Sequence, residues 1–114
     1  MTDLDTQLKQ IFGFDNFREG QQEVVETLLA GDSAIAIFPT GSGKSLCYQF
    51  TATQLPHLSL VVSPLLALMK DQLAFLQQHN IPAASLDSTL SYDEYQQVVK
   101  DIRENRLKVL MVSV

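Results

Sequence analysis

The sequence contains little cysteine, glycine, proline or basic charge, and each scarcity excludes a class of protein. The single cysteine, Cys47, excludes an intramolecular disulfide and fits a reducing compartment. With 5 Gly, 4 Pro and 46% hydrophobic residues, the chain is neither disordered nor collagen-like. The longest stretch without charge, ending at Lys70, contains His57 and two prolines, so no transmembrane helix is expected. Its acidic start, Met1–Asp5, predicts no secretory or transit peptide, and we expect a cytoplasmic protein.

Basic residues are outnumbered, 8 Lys and Arg against 13 Asp and Glu, for a net charge of −5. A chain that binds nucleic acid by neutralising phosphates needs a basic stripe. The nearest candidate alternates with acidic residues, which predicts a solvated helix face instead; it comprises Lys100, Asp101, Arg103, Glu104, Arg106 and Lys108. Charge alone therefore does not indicate strong DNA binding.

Alternating strand and helix patterns predict an α/β fold with a mostly parallel sheet in three layers. The expected strands are Ser33–Phe38, Leu58–Ser63, Ala83–Asp87 and Leu107–Val114, and the helices between them are Gly43–Gln54, Leu65–His79 and Ser91–Asn105. Two further helices precede the first strand; we expect them to end at Gly13 and Gly31. Ser91 and Glu94 form a capping box for the last helix, whose predicted buried face consists of Tyr95, Val98, Val99 and Ile102.

A glycine-containing loop between the first strand and the next helix carries the strongest chemical signal, Phe38-Pro39-Thr40-Gly41-Ser42-Gly43-Lys44-Ser45. Gly41 and Gly43 let backbone N–H groups surround a phosphate at a helix N-terminus. In this pattern Lys44 reaches the β and γ phosphates, and the Ser45 hydroxyl ligates Mg²⁺. The sequence departs from the strict phosphate-loop pattern at position 38, where Phe38 replaces the usual glycine.

Hydrolysis of a bound triphosphate also needs an acidic residue at the end of an apolar strand. Asp93 and Glu94 follow no such strand and are better explained as first-turn residues of a helix. Asp87 ends only a weak strand. We therefore expect the hydrolytic half of the site to be absent.

Three segments in register resemble the amino-terminal part of RecQ-type DNA helicases of superfamily two. They are Phe12–Gln21 (FGFDNFREGQ), the phosphate loop continuing through Ser45–Gln49 (SLCYQ), and Val61–Gln72 (VVSPLLALMKDQ). The resemblance implies that residues 1–31 form a helical adenine-recognition segment and residues 32–114 the P-loop core of the first RecA-like domain. It also implies an ATP-dependent enzyme that uses Mg²⁺ and unwinds DNA 3′ to 5′ in recombination and repair.

The resemblance assigns adenine recognition to the first segment: Phe14 matches the aromatic residue that stacks on the base, with Arg18 and Gln21 nearby. A glutamine amide can donate to one atom of adenine and accept from another, which guanine does not satisfy. From the residues alone, Phe12, Phe14 and Phe17 could instead pack a helix junction.

The third segment matches the motif that contacts the backbone of single-stranded DNA, which points to Ser63 and Pro64. Ser88 and Thr89 match a polar pair of the family that faces DNA, although Ser and Thr also favour turns and caps. Apolar residues of the following helix are expected in the core: Leu65, Leu68, Met69, Leu73 and Leu76. Cys47 is expected to pack inside the helix that follows the phosphate loop.

RecQ proteins continue beyond the last strand into a D-E-A-H box and a second RecA-like domain, and here Val114 lies within an apolar run. We therefore expect a fragment that binds Mg-ATP weakly at most, whose parent acts on single-stranded or forked DNA and not on membranes. Two alternatives stay open: a superfamily-two RNA helicase domain, and a stand-alone P-loop nucleotide-binding module.

Overall fold

A computed structural model describes residues 4–37, 45–63 and 65–113. Its elements, in chain order, are α1 (Leu4–Phe12), α2 (Gln21–Leu29), α3 (Ser45–Gln54), β1 (Ser59–Ser63), α4 (Leu66–Gln78), β2 (Ala83–Leu86), α5 (Tyr92–Arg103) and β3 (Val109–Ser113). The chain divides into two compact units, Met1–Gln54 and Leu55–Val114. None of the described helices has the length and hydrophobicity needed to cross a membrane.

The first unit is helical, and α2 packs against α3 within it. Its core contains Leu8 and Phe12 from α1, Val25 from α2 and Phe50 from α3, all buried. Leu8 and Phe12 lie four residues apart, so they share one face of α1, as the apolar spacing predicts. The expected ends of the first two helices are confirmed, because Gly13 and Gly31 both adopt the left-handed conformation.

The second unit is built on a parallel sheet of three strands in the order β1-β3-β2. In the register, Ser59 and Ala83 both lie beside Val109, and Val62 and Leu86 both lie beside Val112. Central strand β3 is the most buried, since Val109, Leu110 and Met111 are all inside. Helix α4 packs on β2 and β3 and buries Met69 and Leu76. The predicted α/β class with parallel strands is confirmed, as a small open sheet.

Three helices end in the same hydrogen-bonded motif. After α2, α4 and α5, the residue in the left-handed conformation is Gly31, Asn80 or Asn105, with φ of 90°, 61° and 60°. In each case the next N–H donates to the carbonyl five residues earlier: Asp32 to Thr27 at 3.1 Å, Ile81 to Leu76 at 3.0 Å, and Arg106 to Asp101 at 2.9 Å. This motif satisfies carbonyl groups that the end of a helix leaves without a partner.

The expectation of a first strand at Ser33–Phe38 is wrong over the residues that the structure describes. Residues 33–37 form no strand, and Ile35 and Ile37 are 92% and 89% exposed. An apolar run becomes a strand only where a neighbouring strand completes its backbone hydrogen bonds. The three strands of the described sheet do not include this segment. The other predicted strands are confirmed, with ends within two residues of expectation.

Two expectations about buried helix faces also need correction. Helix α5 packs on the outer strand β2 and has no fully buried residue: Val98, Val99 and Ile102 are half-buried, and Tyr95 is exposed. Leu65, just before α4, and Leu68, within it, are exposed. Leu65 is the extended N-cap residue, to which helical spacing does not apply, and Leu68 is turned about 100° from Met69 around the helix.

Candidate functional site

Of the predicted phosphate-loop residues, the structure describes one, Ser45, which is the first residue of α3. The residues predicted to surround the phosphates lie outside the described part of the chain: Pro39, Thr40, Gly41, Ser42, Gly43 and Lys44. The helix predicted over Gly43–Gln54 is confirmed from Ser45 to Gln54, and its first two predicted residues lie outside the described part of the chain. The N-terminus of a helix carries the positive end of the helix dipole.

The body of α3 is a packing element behind this N-terminus. Leu46, Cys47 and Phe50 are buried, which confirms the expected packing role of the cysteine. Burial raises the pKa of the Cys47 thiol, so that it remains protonated near neutral pH. Burial also raises the pKa of Tyr48 to about 12. The ionisable side chains at the start of α3 are therefore neutral under ordinary conditions.

Phe12 at the end of α1 and Phe14 and Phe17 in the loop that follows have different environments. Phe12 is buried, and its ring stacks on that of Phe14, with centroids 6.4 Å apart and planes 7° apart. Phe17 meets Phe50 edge to face at 5.2 Å. Phe14 is 44% exposed. Packing of the helix junction thus accounts for Phe12 and Phe17, whereas Phe14 presents aromatic surface to solvent.

In contrast to the exposed Phe14, Gln21, the first residue of α2, is buried, with only 1% of its surface exposed. Its Oε1 accepts a hydrogen bond of 2.6 Å from the backbone N–H of Arg18. Its own N–H donates to the Arg18 carbonyl at 3.0 Å. Gly20 stands between them with φ of 86°, a conformation that glycine adopts without strain. Arg18 itself is exposed.

Ser63 is the last residue of β1 and lies immediately before the N-terminus of α4. Its Oγ accepts a hydrogen bond of 3.3 Å from the N–H of Leu65. The N-cap residue of α4, Leu65, makes no side-chain cap. A hydroxyl beside uncapped helix N–H groups is an arrangement that suits a phosphate oxygen. Pro64, the other residue predicted here, lies outside the described residues.

Thr89 and Ser88 follow β2 in an exposed turn around Asp87. The Asp87 carboxylate accepts hydrogen bonds from the Thr89 N–H at 2.8 Å, from the Thr89 hydroxyl, and from the Ser85 hydroxyl at 3.3 Å. The Thr89 hydroxyl and N–H lower the pKa of Asp87, with smaller contributions from Ser85 and the charge of Lys70. Thr89 therefore has the turn-forming role that is common for Ser and Thr.

The sheet brings these segments to one edge. Because β1 and β2 are both parallel to β3, their carboxyl ends lie on the same side of the sheet. Ser63 pairs in register with Ser113 at the end of β3. With strands about 4.8 Å apart, the turn after β2 lies about 10 Å from Ser63 across β3. Sequence reasoning missed Ser113, because only the strand order places it beside Ser63.

The basic residues near the end of α5 are used inside the second unit. Arg106 contacts Asp101 at 3.4 Å and Glu104 at 2.5 Å. The Lys108 ammonium donates to the Leu55 carbonyl. The charge alternation of this region thus produces local pairs, as expected for a solvated surface rather than a phosphate-binding stripe.

Comparison with known proteins finds one matching family and several similar proteins. The DEAD/DEAH box helicase family profile matches residues 18–113. The chain is 46% identical over 110 residues to a protein of Synechocystis named ATP-dependent DNA helicase RecQ, covering 96% of this chain and 23% of that protein.

Two further relatives agree. A Haemophilus influenzae protein of the same name is 45% identical over 106 residues, covering 93% of this chain and 17% of the relative. The Bacillus subtilis protein named probable ATP-dependent DNA helicase RecS is 46% identical over 114 residues, covering 99% of this chain and 23% of the relative. The chain therefore spans about a fifth of the length of these relatives.

Proposed function

The chain belongs to the DEAD/DEAH box helicase family, and on this premise we propose that it is the ATP-binding portion of a RecQ-type DNA helicase. The parent would hydrolyse ATP and unwind DNA in the 3′ to 5′ direction, in recombination and repair. Residues 1–31 would form the adenine-recognition segment and residues 32–114 the P-loop core. We further propose that the protein acts in the cytoplasm.

The observation that carries this proposal is the start of α3 at Ser45, directly after the glycine-containing loop. In the sequence, Gly41, Gly43 and Lys44 directly precede that helix. Phosphate at such a helix N-terminus is stabilised by N–H donors and by the helix dipole. Lys44 would add a full positive charge at the β and γ phosphates.

Magnesium fits the one described residue proposed to hold it. Mg²⁺ takes oxygen ligands and in nucleotide sites retains water and phosphate oxygens, so a single protein hydroxyl is an appropriate donor. Ser45 supplies that hydroxyl at the first position of α3. When bound, the ion would neutralise the charge of the phosphates. Within the described chain, no group of three or more His, Cys, Asp or Glu side chains offers a competing metal site.

The exposure of Phe14 supports its proposed role in binding the adenine ring. Its ring is available on the surface, while the neighbouring Phe12 fixes it from behind by stacking. An exposed aromatic ring that is already oriented loses little entropy when a base stacks on it. Arg18 and Gln21, which are near Phe14 in the sequence, would complete the recognition segment.

The sheet edge supports the proposed contacts with single-stranded DNA. Ser63 lies just before the N-terminus of α4, and the turn that holds Ser88 and Thr89 begins about 10 Å away across β3. Hydroxyl and backbone N–H groups of this kind bind phosphates without reading sequence. With a net charge of −5, this chain would supply positioning contacts, and most of the electrostatic affinity would come from other parts of the parent.

Substitution of Lys44 tests the nucleotide site directly. We expect Lys44→Ala to abolish binding of a fluorescent ATP analogue in the presence of Mg²⁺, measured by anisotropy on the 114-residue chain and on a longer protein that contains it. Lys100→Ala, which removes an exposed lysine from α5, is the matched control and should bind as the unmodified chain does. Equal affinity of the Lys44→Ala variant and the unmodified chain would contradict the assignment.

A further inference from the structure

The loop that presents Phe14 is closed by a reciprocal pair of hydrogen bonds between Arg18 and Gln21. The backbone N–H of Arg18 donates to Gln21 Oε1 at 2.6 Å, and the N–H of Gln21 donates to the Arg18 carbonyl at 3.0 Å. One bond uses a side chain and the other uses only backbone. The side-chain hydrogen bond, named here the Arg18–Gln21 tie, can therefore be removed by substitution of Gln21 without the loss of any backbone group.

Hydrophobic contacts hold the rest of this loop at two points. Phe12 is buried at the end of α1, and Phe17 packs edge-on against Phe50 at 5.2 Å. The Arg18–Gln21 tie adds a third point, at the start of α2. Phe14 lies between the first and second of these points and is the exposed aromatic side chain of the loop. The position of its ring therefore depends on how firmly the flanking points are held.

The burial of Gln21 strengthens the case for a structural role of its carbonyl oxygen. With 1% of the residue exposed, the amide is inside the protein, where an unsatisfied polar atom is costly. Within the described chain, no buried side-chain nitrogen or oxygen lacks a hydrogen-bond partner. The short bond from Arg18 satisfies Oε1 and also fixes which end of the amide faces the loop.

We propose that Gln21 is a positioning residue for the nucleotide-binding loop, acting through Oε1, in addition to any contact that its amide N–H makes with a base. The oxygen holds the Arg18 backbone, and the loop between α1 and α2 thereby keeps Phe14 and the Arg18 side chain in place for a ligand. The expected effect on nucleotide affinity rests on the proposed ATP site. The hydrogen bond between Gln21 Oε1 and the Arg18 N–H does not depend on that proposal.

Two substitutions separate the two ends of the amide. Gln21→Glu keeps an oxygen that accepts from Arg18 N–H but removes the amide donor, and an acidic residue is favourable in the first turn of a helix. Gln21→Met has similar length and removes both the acceptor and the donor. The tie is measured by amide hydrogen exchange of Arg18 on the 114-residue chain, expressed relative to exchange of Leu8 in α1, so that a change in global stability cancels.

We expect this ratio to rise roughly threefold to tenfold in Gln21→Met, as the loss of one hydrogen bond predicts, and to stay near the unmodified value in Gln21→Glu. An unchanged ratio in Gln21→Met, or an equal rise in both variants, would overturn the proposal. A parallel acceleration at Arg18 and Leu8 leaves the ratio unchanged and counts against it in the same way.

Nucleotide affinity then distinguishes failure of this inference from failure of the proposed site. If Gln21 both positions the loop and reads the base, Gln21→Glu loses the preference for ATP over GTP while Arg18 stays protected. If Gln21→Glu retains that preference, its amide does not read the base, and the exchange ratio still decides the positioning role. Gln21→Met should lose affinity for both nucleotides, because the loop that presents Phe14 is no longer held.

Discussion

Asp87 shows how turn chemistry accounts for a residue that the sequence also makes a weak candidate for catalysis. Its carboxylate accepts three hydrogen bonds from Ser85 and Thr89, all within the turn after β2. Short-range bonds of this kind are common for Asp, Ser and Thr. They lower the pKa of Asp87, so the charged carboxylate stabilises the turn above its ordinary pKa of 3.8, and this contribution is lost as the pH falls through the lowered value.

Removal of the Thr89 hydroxyl tests this account. In Thr89→Val the largest cause of the shift disappears while the backbone N–H remains, so we expect the pKa of Asp87 to rise part of the way toward 3.8. NMR titration of the Asp87 carboxyl measures the change. Ser88→Ala is the control, because Ser88 makes none of these bonds. An identical Asp87 titration in Thr89→Val and the unmodified chain would show that the hydroxyl bond does not form.

Among the elements, the helices follow most directly from local sequence. The predicted capping box is confirmed in α5: Ser91 Oγ accepts from the Glu94 N–H at 3.2 Å, and Glu94 accepts from the Ser91 N–H at 2.9 Å. The ends of α2, α4 and α5 are also determined by local sequence, because the left-handed conformation that follows each helix is readily adopted only by Gly and, less readily, by Asn. Strands were less predictable, since residues 33–37 have strand-like composition but form none.

The residue after α5 gives a stability prediction at this scale. Asn105 has φ of 60°, so Asn105→Ala should lower the free energy of unfolding by about 1 kcal/mol, whereas Asn105→Gly should be neutral or stabilising. Urea denaturation followed by circular dichroism measures both. The hydrogen bond from Arg106 N–H to the Asp101 carbonyl depends on this conformation. Equal free energies of unfolding for the two variants would show that the left-handed conformation at position 105 does not destabilise an alanine there.

At the scale of the whole molecule, three hydroxyl-bearing segments meet at one edge of the sheet although they are far apart in sequence. Ser63 and Ser113 are paired by the register, and the Ser88–Thr89 turn follows the next strand. The chain covers 17% to 23% of the length of the three relatives compared.

A comparison of this chain with a longer protein that contains it tests the activity proposed for the parent. We expect a protein extended to the length of the relatives to hydrolyse ATP faster when single-stranded DNA is added, and the 114-residue chain to show no such stimulation. A coupled phosphate-release assay measures both, with single-stranded RNA of matched length as the control ligand. Stimulation by RNA alone would favour the RNA-helicase alternative, and DNA-stimulated hydrolysis by the short chain would contradict the expected absence of the hydrolytic half.

The sequence by itself determined the positions of the helices, the capping box of α5, the helix ends at Gly13 and Gly31, the α/β class and the three family segments, because these follow from patterns of residues close together in the chain. Tertiary structure decided which phenylalanine is exposed, which leucines of α4 are buried, and that Ser113 lies beside Ser63. These outcomes depend on contacts between distant segments, as does the fate of residues 33–37, which are strand-like in composition but lie outside the described sheet. Local patterns specify what an element can be, and its neighbours decide what it becomes.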